Sequence, residues 1–502
     1  MTRKAWVAIT LVVGLLVTVA GGTVWRASSS GSAPDETAGV GTTDGGSIAR
    51  QAGPKAKDVS GKSPFRRSCS AGADGGVVSL DSEVEPFLAA DPRAADVLIG
   101  VYQQDRWSYG QARGIVASVS HDGGESWRQV PLPLSRCAPN GLRFERAGDP
   151  WVSIGPDGTA YAIAAGNGIA ATTSRDGGFT WKAPRLLDRS GAAYFADKPA
   201  ITADPGRPGV AYAVWARILT LAGSPPIVAD AMFSQTTDGG RTWSRASIVV
   251  PHTSQSGAVS SQILVDEKRG TLYHLSNLEV GGVPSLDAPS RLLVQRSHDA
   301  GATWSRPSAV LTVHTIGYQP LNAQGDLVRT GVETPDFAID PDSGALFAVW
   351  QDSRFSVGRY DEIALSRSTD EGRTWSRPLK VGAASDVAGV PMIDVNRGGD
   401  VGVLYYDIRA LGGAGSRPIE AQAIMAVSRD GGRTFSLRSL SGRVDIRTAP
   451  RVFTSNGLQG YFLGDYLGLA ASGSGFAALF ALPDPDAGDP ADVYFARAER
   501  GS

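Results

Sequence analysis

Carboxylates, guanidiniums and aromatic rings recur at matching places along this chain. These residue types handle a polar, ring-shaped ligand. Acidic residues open a series of strand-like segments: Glu85-Pro86-Phe87, Asp149-Pro150-Trp151, Asp197-Lys198-Pro199, Asp336-Phe337 and Asp465-Tyr466, with Glu333 just ahead of one of them. A second series closes the strands that follow: Asp105-Arg106-Trp107, Arg217, Asp352-x-Arg354 and Asp407-x-Arg409, with Trp350, Tyr406 and Tyr461 nearby. Two carboxyls at a suitable separation act as acid and base, or acid and nucleophile, on a glycosidic bond. Arg holds a ligand carboxylate through paired hydrogen bonds. Asp149, Asp197, Asp336 and Asp465 are therefore candidate catalytic acids and bases. Glu85, Asp105, Arg106, Arg217, Asp352, Arg354, Asp407, Arg409 and Tyr461 are candidate substrate contacts. A structural reading competes: Asp-x-Arg pairs can lock neighbouring sheets, and a ring of acids can hold water or a structural cation such as calcium. Like charges crowded round an axis are costly unless something compensates them.

The elements that must position these residues are announced by a repeated turn. Six copies of Ser/Thr-x-Asp-x-Gly-x-Thr-Trp or a close variant begin at Ser120, Ser174, Thr236, Ser297, Ser368 and Ser428, and their Asp residues step by 54, 62, 61, 71 and 60. Self-similarity at such a period signals an array of equivalent units. Within each copy the Asp accepts backbone N–H bonds. The Gly supplies a positive φ. The aromatic, Trp five times and Phe435 once, buries its ring while any indole N–H finds a carbonyl. These are folding roles.

Seven alternating strand pairs accompany the six turns. The last unit ends at Val493-Tyr494-Phe495-Ala496 without a turn of its own. The segment Gly76-Val77-Val78-Ser79-Leu80 is expected to supply the missing outer strand, closing a ring and removing its exposed edge. The fold class is all-β: a β-propeller of four-stranded antiparallel blades, seven in number, with six as the alternative if the unit at 149–187 merges with a neighbour. In such blades the motif turns join strands three and four. The starts of first strands and the ends of second strands then meet at the opposite face, around the axis.

The chain has 502 residues and a formal charge of −2. Nucleic acid is not an expected partner, because binders show a basic stripe. Five His residues without metal spacing argue against a zinc enzyme, and no cofactor is required. Residues 1–27 carry Arg3 and Lys4 ahead of an apolar run from Ala5 to Trp25, read as a membrane anchor or a cleaved export signal. Both place the body outside the cytoplasm, either anchored at the membrane or secreted. Residues 28–67 are poor in large apolar side chains and read as a disordered linker; residues 68–502 form the propeller. Gly61-Lys62-Ser63 lacks the earlier Gly of a phosphate loop, since position 56 is Ala. In an exported chain Cys69 and Cys137 form a disulfide that pins the entering segment to the loop after the first turn.

The six turns resemble the Asp-box (BNR) repeats of the sialidase superfamily, and the resemblance covers about residues 76–499. It implies the propeller fold and a carbohydrate-active role, with an extracellular glycan or surface protein as partner. Sialidases use an arginine triad, a Tyr nucleophile paired with Glu, and an Asp acid/base. Their first Arg lies in a Phe/Tyr-Arg-Ile-Pro signature, where this chain has Val84-Glu85-Pro86-Phe87; Phe65-Arg66-Arg67 lacks the Pro. Arg217, Arg354 and Arg409 could form a different triad. Tyr466 or Tyr461 could be a nucleophile with Glu333. The leading expectation is a sialidase-like glycosidase, exo-sialidase-related in one form. The alternative is a non-catalytic cell-surface propeller that binds a glycan or protein.

Overall fold

A computed structural model describes residues 56–69, 76–219, 228–280, 290–316, 327–331, 334–382, 387–410, 418–453, 459–484 and 489–498. The N-terminal segment read as anchor or signal lies outside them, as does Glu333. Among the described residues there are strands, two three-residue 3-10 turns (Arg354–Ser356 and Ile446–Thr448) and no α-helix. No helix there is long and apolar enough to cross a membrane.

The strands form seven larger antiparallel sheets and one small three-stranded sheet. The first sheet runs Glu83–Asp91, Ala94–Arg106, Ala112–Ser120, Arg128–Pro131, and the next five repeat that up-and-down order. Their first strands are Gly148–Ile154, Tyr194–Ala203, Ser256–Asp266, Asp336–Ile339 and Val387–Val395. The seventh sheet contains Gly468–Ser472, Gly475–Asp484 and Asp489–Ala498. Each first strand packs beside the next in sequence, and the seventh returns to the first. The core is divided accordingly. One apolar cluster joins the first and second sheets through Val101 and Val152, another the second and third through Ile163 and Trp215. The series continues round to Leu479 of the seventh sheet, which packs with Leu98 of the first. Second strands such as Leu346–Asp352 are buried along their whole length, as a strand sandwiched between two sheets must be.

All six motif turns connect third to fourth strands, as the spacing predicts. In each, the leading Ser or Thr hydroxyl donates to the Asp at 2.7–2.9 Å, and the N–H four residues past the Asp donates back at 2.8–2.9 Å. The indole N–H groups of Trp127, Trp181 and Trp375 donate to the carbonyls of Gly124, Gly178 and Gly372. Trp304 departs from this rule: its indole N–H has no such partner, and its ring instead packs edge-on against Phe233.

Ring closure differs from expectation. The outer strand of the seventh sheet is Lys57–Asp58, paired with Tyr494 and Phe495, and not Gly76–Leu80. The latter contributes only a single bridge between Val78 and Trp107. Burial explains the choice. Val59 and Phe65 are each 5% exposed, whereas Val77 is 71% exposed. Two apolar anchors, with the Ser63–Asp105 hydrogen bond, fix an otherwise polar stretch, so the ordered domain begins before residue 68. The disulfide forms as expected, with Cys69 and Cys137 Cα atoms 5.7 Å apart.

Candidate functional site at the axis

The first strands do not run straight. Register shifts interrupt them after Val84, Gly148, Asp197, Val259 and Gly389. At each shift a non-glycine residue has positive φ: Glu85 (55°), Asp149 (50°), Lys198 (47°), Ser260 (51°) and Val390 (56°). Such bulges re-aim a side chain and concentrate near functional sites. Pro follows four of the five; lacking an N–H, it leaves the ladder open at that point. The bulges lie at the end of each sheet remote from the motif turns. In the first sheet Glu83 pairs with Gln104 while Leu98 pairs with Ser120, the first residue of the turn.

Three of the bulged side chains converge. The Lys198 ammonium lies 2.5 Å from Asp465 Oδ2, 3.2 Å from Asp149 Oδ1 and 4.0 Å from Glu85 Oε1. Arg329 also grips Asp465, through Nε to Oδ1 and Nη2 to Oδ2, at 2.8 and 2.5 Å. Gly331 and Gly464 permit this crowding: a Cβ on Gly331 would come within 2.4 Å of the Asp465 carbonyl, and one on Gly464 within 2.8 Å of the Glu85 nitrogen. Thr334 Oγ1 completes the fastening with a 2.6 Å bond to the Asp465 carbonyl.

The environment drives these carboxyls apart. Burial, then the Asp149 charge, pushes Glu85 up to about 8 against the pull of Lys198. Burial and Asp149 likewise raise Asp197 to about 7. Burial would raise Asp465 too, but Arg329 and Lys198 outweigh it and hold that group well below the usual carboxylate range. Lys198 is held well above its ordinary value, because Asp465, Asp149 and Glu85 overcome the effect of burial. Beside this cluster opens a cavity lined by Lys198, Trp151, Ser260, Ser261 and Tyr466 among others. The carboxylates of Glu85, Asp149 and Asp465 stand behind that wall.

The other expected site residues go elsewhere. Asp336 is buried among the fourth, fifth and sixth sheets, accepting from Gln262 Nε2 and Ile393 N at 2.7 Å each; burial lifts it to about 7 despite those bonds. Asp105 receives Ser63 Oγ at 2.7 Å and Asp81 N at 2.9 Å, anchoring the N-terminal segment. Arg106 lies over the Phe462 ring at 4.6 Å, near the cluster. Arg217 pairs with Asp188 of the preceding sheet at 2.9 Å. Arg354 pairs with Asp352 at 2.7 Å and donates to Thr312 O of the preceding sheet at 2.6 Å. Asp407 pairs with Arg443, just ahead of the short strand Val444–Asp445, and Arg409 lies half-buried beyond Asp407 on the same strand. Tyr461 receives Arg451 at 2.5 Å in the three-stranded sheet. Tyr466 is central, but burial and the Glu85 charge push its hydroxyl well above the ordinary range, which opposes a phenolate nucleophile.

Sequence reasoning missed Arg329. It lies on Leu327–Arg329, a short strand parallel to Gln459–Phe462. The 71-residue Asp step, the longest of the five, was the signal that an insertion sits there. Among the described residues no group of three or more His, Cys, Asp or Glu side chains is arranged to hold a metal. The Lys198 ammonium stands amid the axial acids.

No family model matches the chain. In sequence it is similar to a sialidase of Bacteroides fragilis, at 23% identity over 153 residues; the match spans 27% of this chain and 27% of that relative's length. Among solved structures it is similar to a protein of unknown function from Dyadobacter fermentans, with TM-score 0.44, 13% identity, and coverage of 83% of this chain and 94% of the other. It is also similar to the Hadza microbial sialidase Hz136, with TM-score 0.41, 18% identity, and coverage of 83% and 66%. A third is the α-L-arabinanase of Penicillium chrysogenum, complexed with arabinobiose, with TM-score 0.42, 13% identity, and coverage of 71% and 95%. The resemblance of this chain is to the sialidase superfamily.

Proposed function

We propose that this chain is an extracytoplasmic, carbohydrate-active propeller of seven blades whose glycan enters the axial cavity, and that it is a glycoside hydrolase. One observation carries the reading: three carboxyls surround the Lys198 ammonium at the wall of an axial cavity, with Glu85 raised to about 8 and Asp465 held well below the usual carboxylate range. A buried carboxyl raised by its environment suits the role of general acid. Glu85, protonated at neutral pH, gives its proton to the leaving glycosidic oxygen. Asp149 serves the opposite step, on water or on the anomeric carbon. All three carboxylate oxygens lie within 4.0 Å of Lys198 Nζ. Any two are then less than about 8 Å apart, compatible with the ~5–9.5 Å of glycosidase pairs. Both acids must reach past Lys198 to act, so movement of that side chain is part of the reading. The sialidase relative supports the substrate class, and the disulfide supports export.

Assay of the purified full chain on fluorogenic glycosides, a sialoside included, tests this. Glu85→Gln and Asp149→Asn should each lower kcat at least ~100-fold, and wild-type activity should fall as pH rises through about 8. Turnover that survives both substitutions defeats the assignment. The position of the carboxylates behind the cavity wall favours a second reading, a propeller that binds glycan without cleaving it. Sugar binding with no turnover on any glycoside would establish that one.

A further inference from the structure

The cavity has chemistry that the acids do not use. Ser260, Ser261 and Tyr466 line it. They are 9%, 1% and 4% exposed, and none of their three hydroxyls has a hydrogen-bond partner. A buried hydroxyl left unpaired is unfavourable, and each such group needs an explanation. Ser260 is also one of the bulge residues held at positive φ, so backbone strain fixes its position. A hydroxyl both donates and accepts, as do the hydroxyls of a sugar. Trp151 stands on the same wall, its ring stacked on Phe87 at 3.6 Å, and offers a flat apolar surface to the C–H face of a sugar.

The cations are already engaged. Among the described residues Lys198 is the cation on the wall, and its ammonium faces Asp465, Asp149 and Glu85. Arg329 presents two N–H groups to Asp465. Arg217 and Arg354 are held by Asp188 and Asp352, and neither they nor Arg409 line the cavity. A ligand carboxylate would meet an ammonium already encircled by acids and would set a further negative charge beside Asp149.

Resting on the carbohydrate reading above, we propose that the axial cavity selects an uncharged sugar over acidic sugars, with the Ser260, Ser261 and Tyr466 hydroxyls bonding the sugar hydroxyls and Trp151 stacking on a sugar ring. Calorimetric titration of the full chain tests this with the methyl glycosides of arabinose, galactose, glucose and fucose on one side, and N-acetylneuraminic acid and methyl glucuronide on the other. At least one neutral glycoside should bind tenfold or more tightly than either acid. Ser261→Ala and Tyr466→Phe should each weaken it by ~2–10-fold, the worth of one neutral hydrogen bond, at unchanged melting temperature. Ser260→Gly deletes the third hydroxyl while suiting the positive φ, so its folding is safeguarded. An acidic sugar binding more tightly overturns the neutral class and leaves the carbohydrate reading standing. Unchanged affinity in all three variants overturns the assignment of the hydroxyls. If no sugar binds and no glycoside is cleaved, the carbohydrate reading falls and this inference with it.

Discussion

Two sets of repeated acids sit at opposite ends of the same sheets and obey opposite physics. The turn acids, Asp122 to Asp430, are satisfied within their own loops by groups two to four residues away. They face solvent, and their local bonds depress them: Asp238 and Asp299 lie at about 2, chiefly through the hydroxyls of Thr242 and Thr303. The axial acids are buried and answer to distant partners. Lys198 and Asp465 are 267 residues apart, Arg329 and Asp465 136. Repetition in the turns therefore encodes local structure that each unit makes alone. Repetition at the axis encodes a site that exists only when the ring closes. The sharpest test of that difference is Lys198→Met. Removing one partner of a buried ion pair leaves uncompensated charge and costs about 3–5 kcal/mol. Urea unfolding should show a loss of that order; a loss no larger than that of a turn-Asp substitution would erase the distinction.

The same contrast explains what the sequence could reveal. The turns, the strand order and the polarity of the two faces follow from spacing within one unit, and so they were legible. Asp149 and Asp465 were singled out as acids expected at strand starts, and the structure brings both to the Lys198 ammonium. Asp336 stands out equally but lies among Gln262 and the Ile393 backbone, and no local pattern separates the two cases. Arg329 was hidden because its role depends on a parallel pairing with Arg329 opposite Phe462, far along the chain. The closing strand was misplaced for a related reason. Composition averages a segment, whereas two residues, Val59 and Phe65, hold it. Phe65→Ala should cost about 3 kcal/mol and expose the outer edge of the seventh sheet to proteolysis. A melting temperature unmoved by this change would mean that Lys57–Asp58 is not the ring's clasp.

Stability against pH should separate the two regions without any substitution. Glu85, Asp197 and Asp336 are raised in the fold to about 8, 7 and 7. A raised carboxyl binds its proton more tightly folded than unfolded. Its contribution is complete below the unfolded value near 4 and is lost as pH climbs through the folded one. Stability should thus decline between about pH 4.5 and 8, with Glu85 alone giving a slope on the order of 1 kcal/mol per pH unit. Glu85→Gln should flatten that limb. A limb equally steep in the variant would show that the axial cluster does not set it.

The turns govern the acid side, and there the effect per residue is smallest. Asp238 and Asp299 are depressed in the fold, so their contribution is present above the unfolded value near 4 and disappears as pH falls through about 2. Asp176 belongs to the same class: burial raises it, but the donors of Thr180 and Ser174 together outweigh that and lower it. Because this group stands in solvent, screening discounts each bond, and Asp176→Ala should cost only about 1 kcal/mol at neutral pH. The loss should shrink as pH falls through the acid range and the wild-type carboxylate takes up its proton. Thermal melts of the variant and wild type at pH 7 and pH 2 measure both quantities. Because the donors of this turn all come from residues 174–180, the deficit should add independently to that of Lys198→Met. A double variant whose losses fail to sum would show that turn and axis communicate along the strand between them, and the ring could no longer be divided into self-sufficient rims and a cooperative centre.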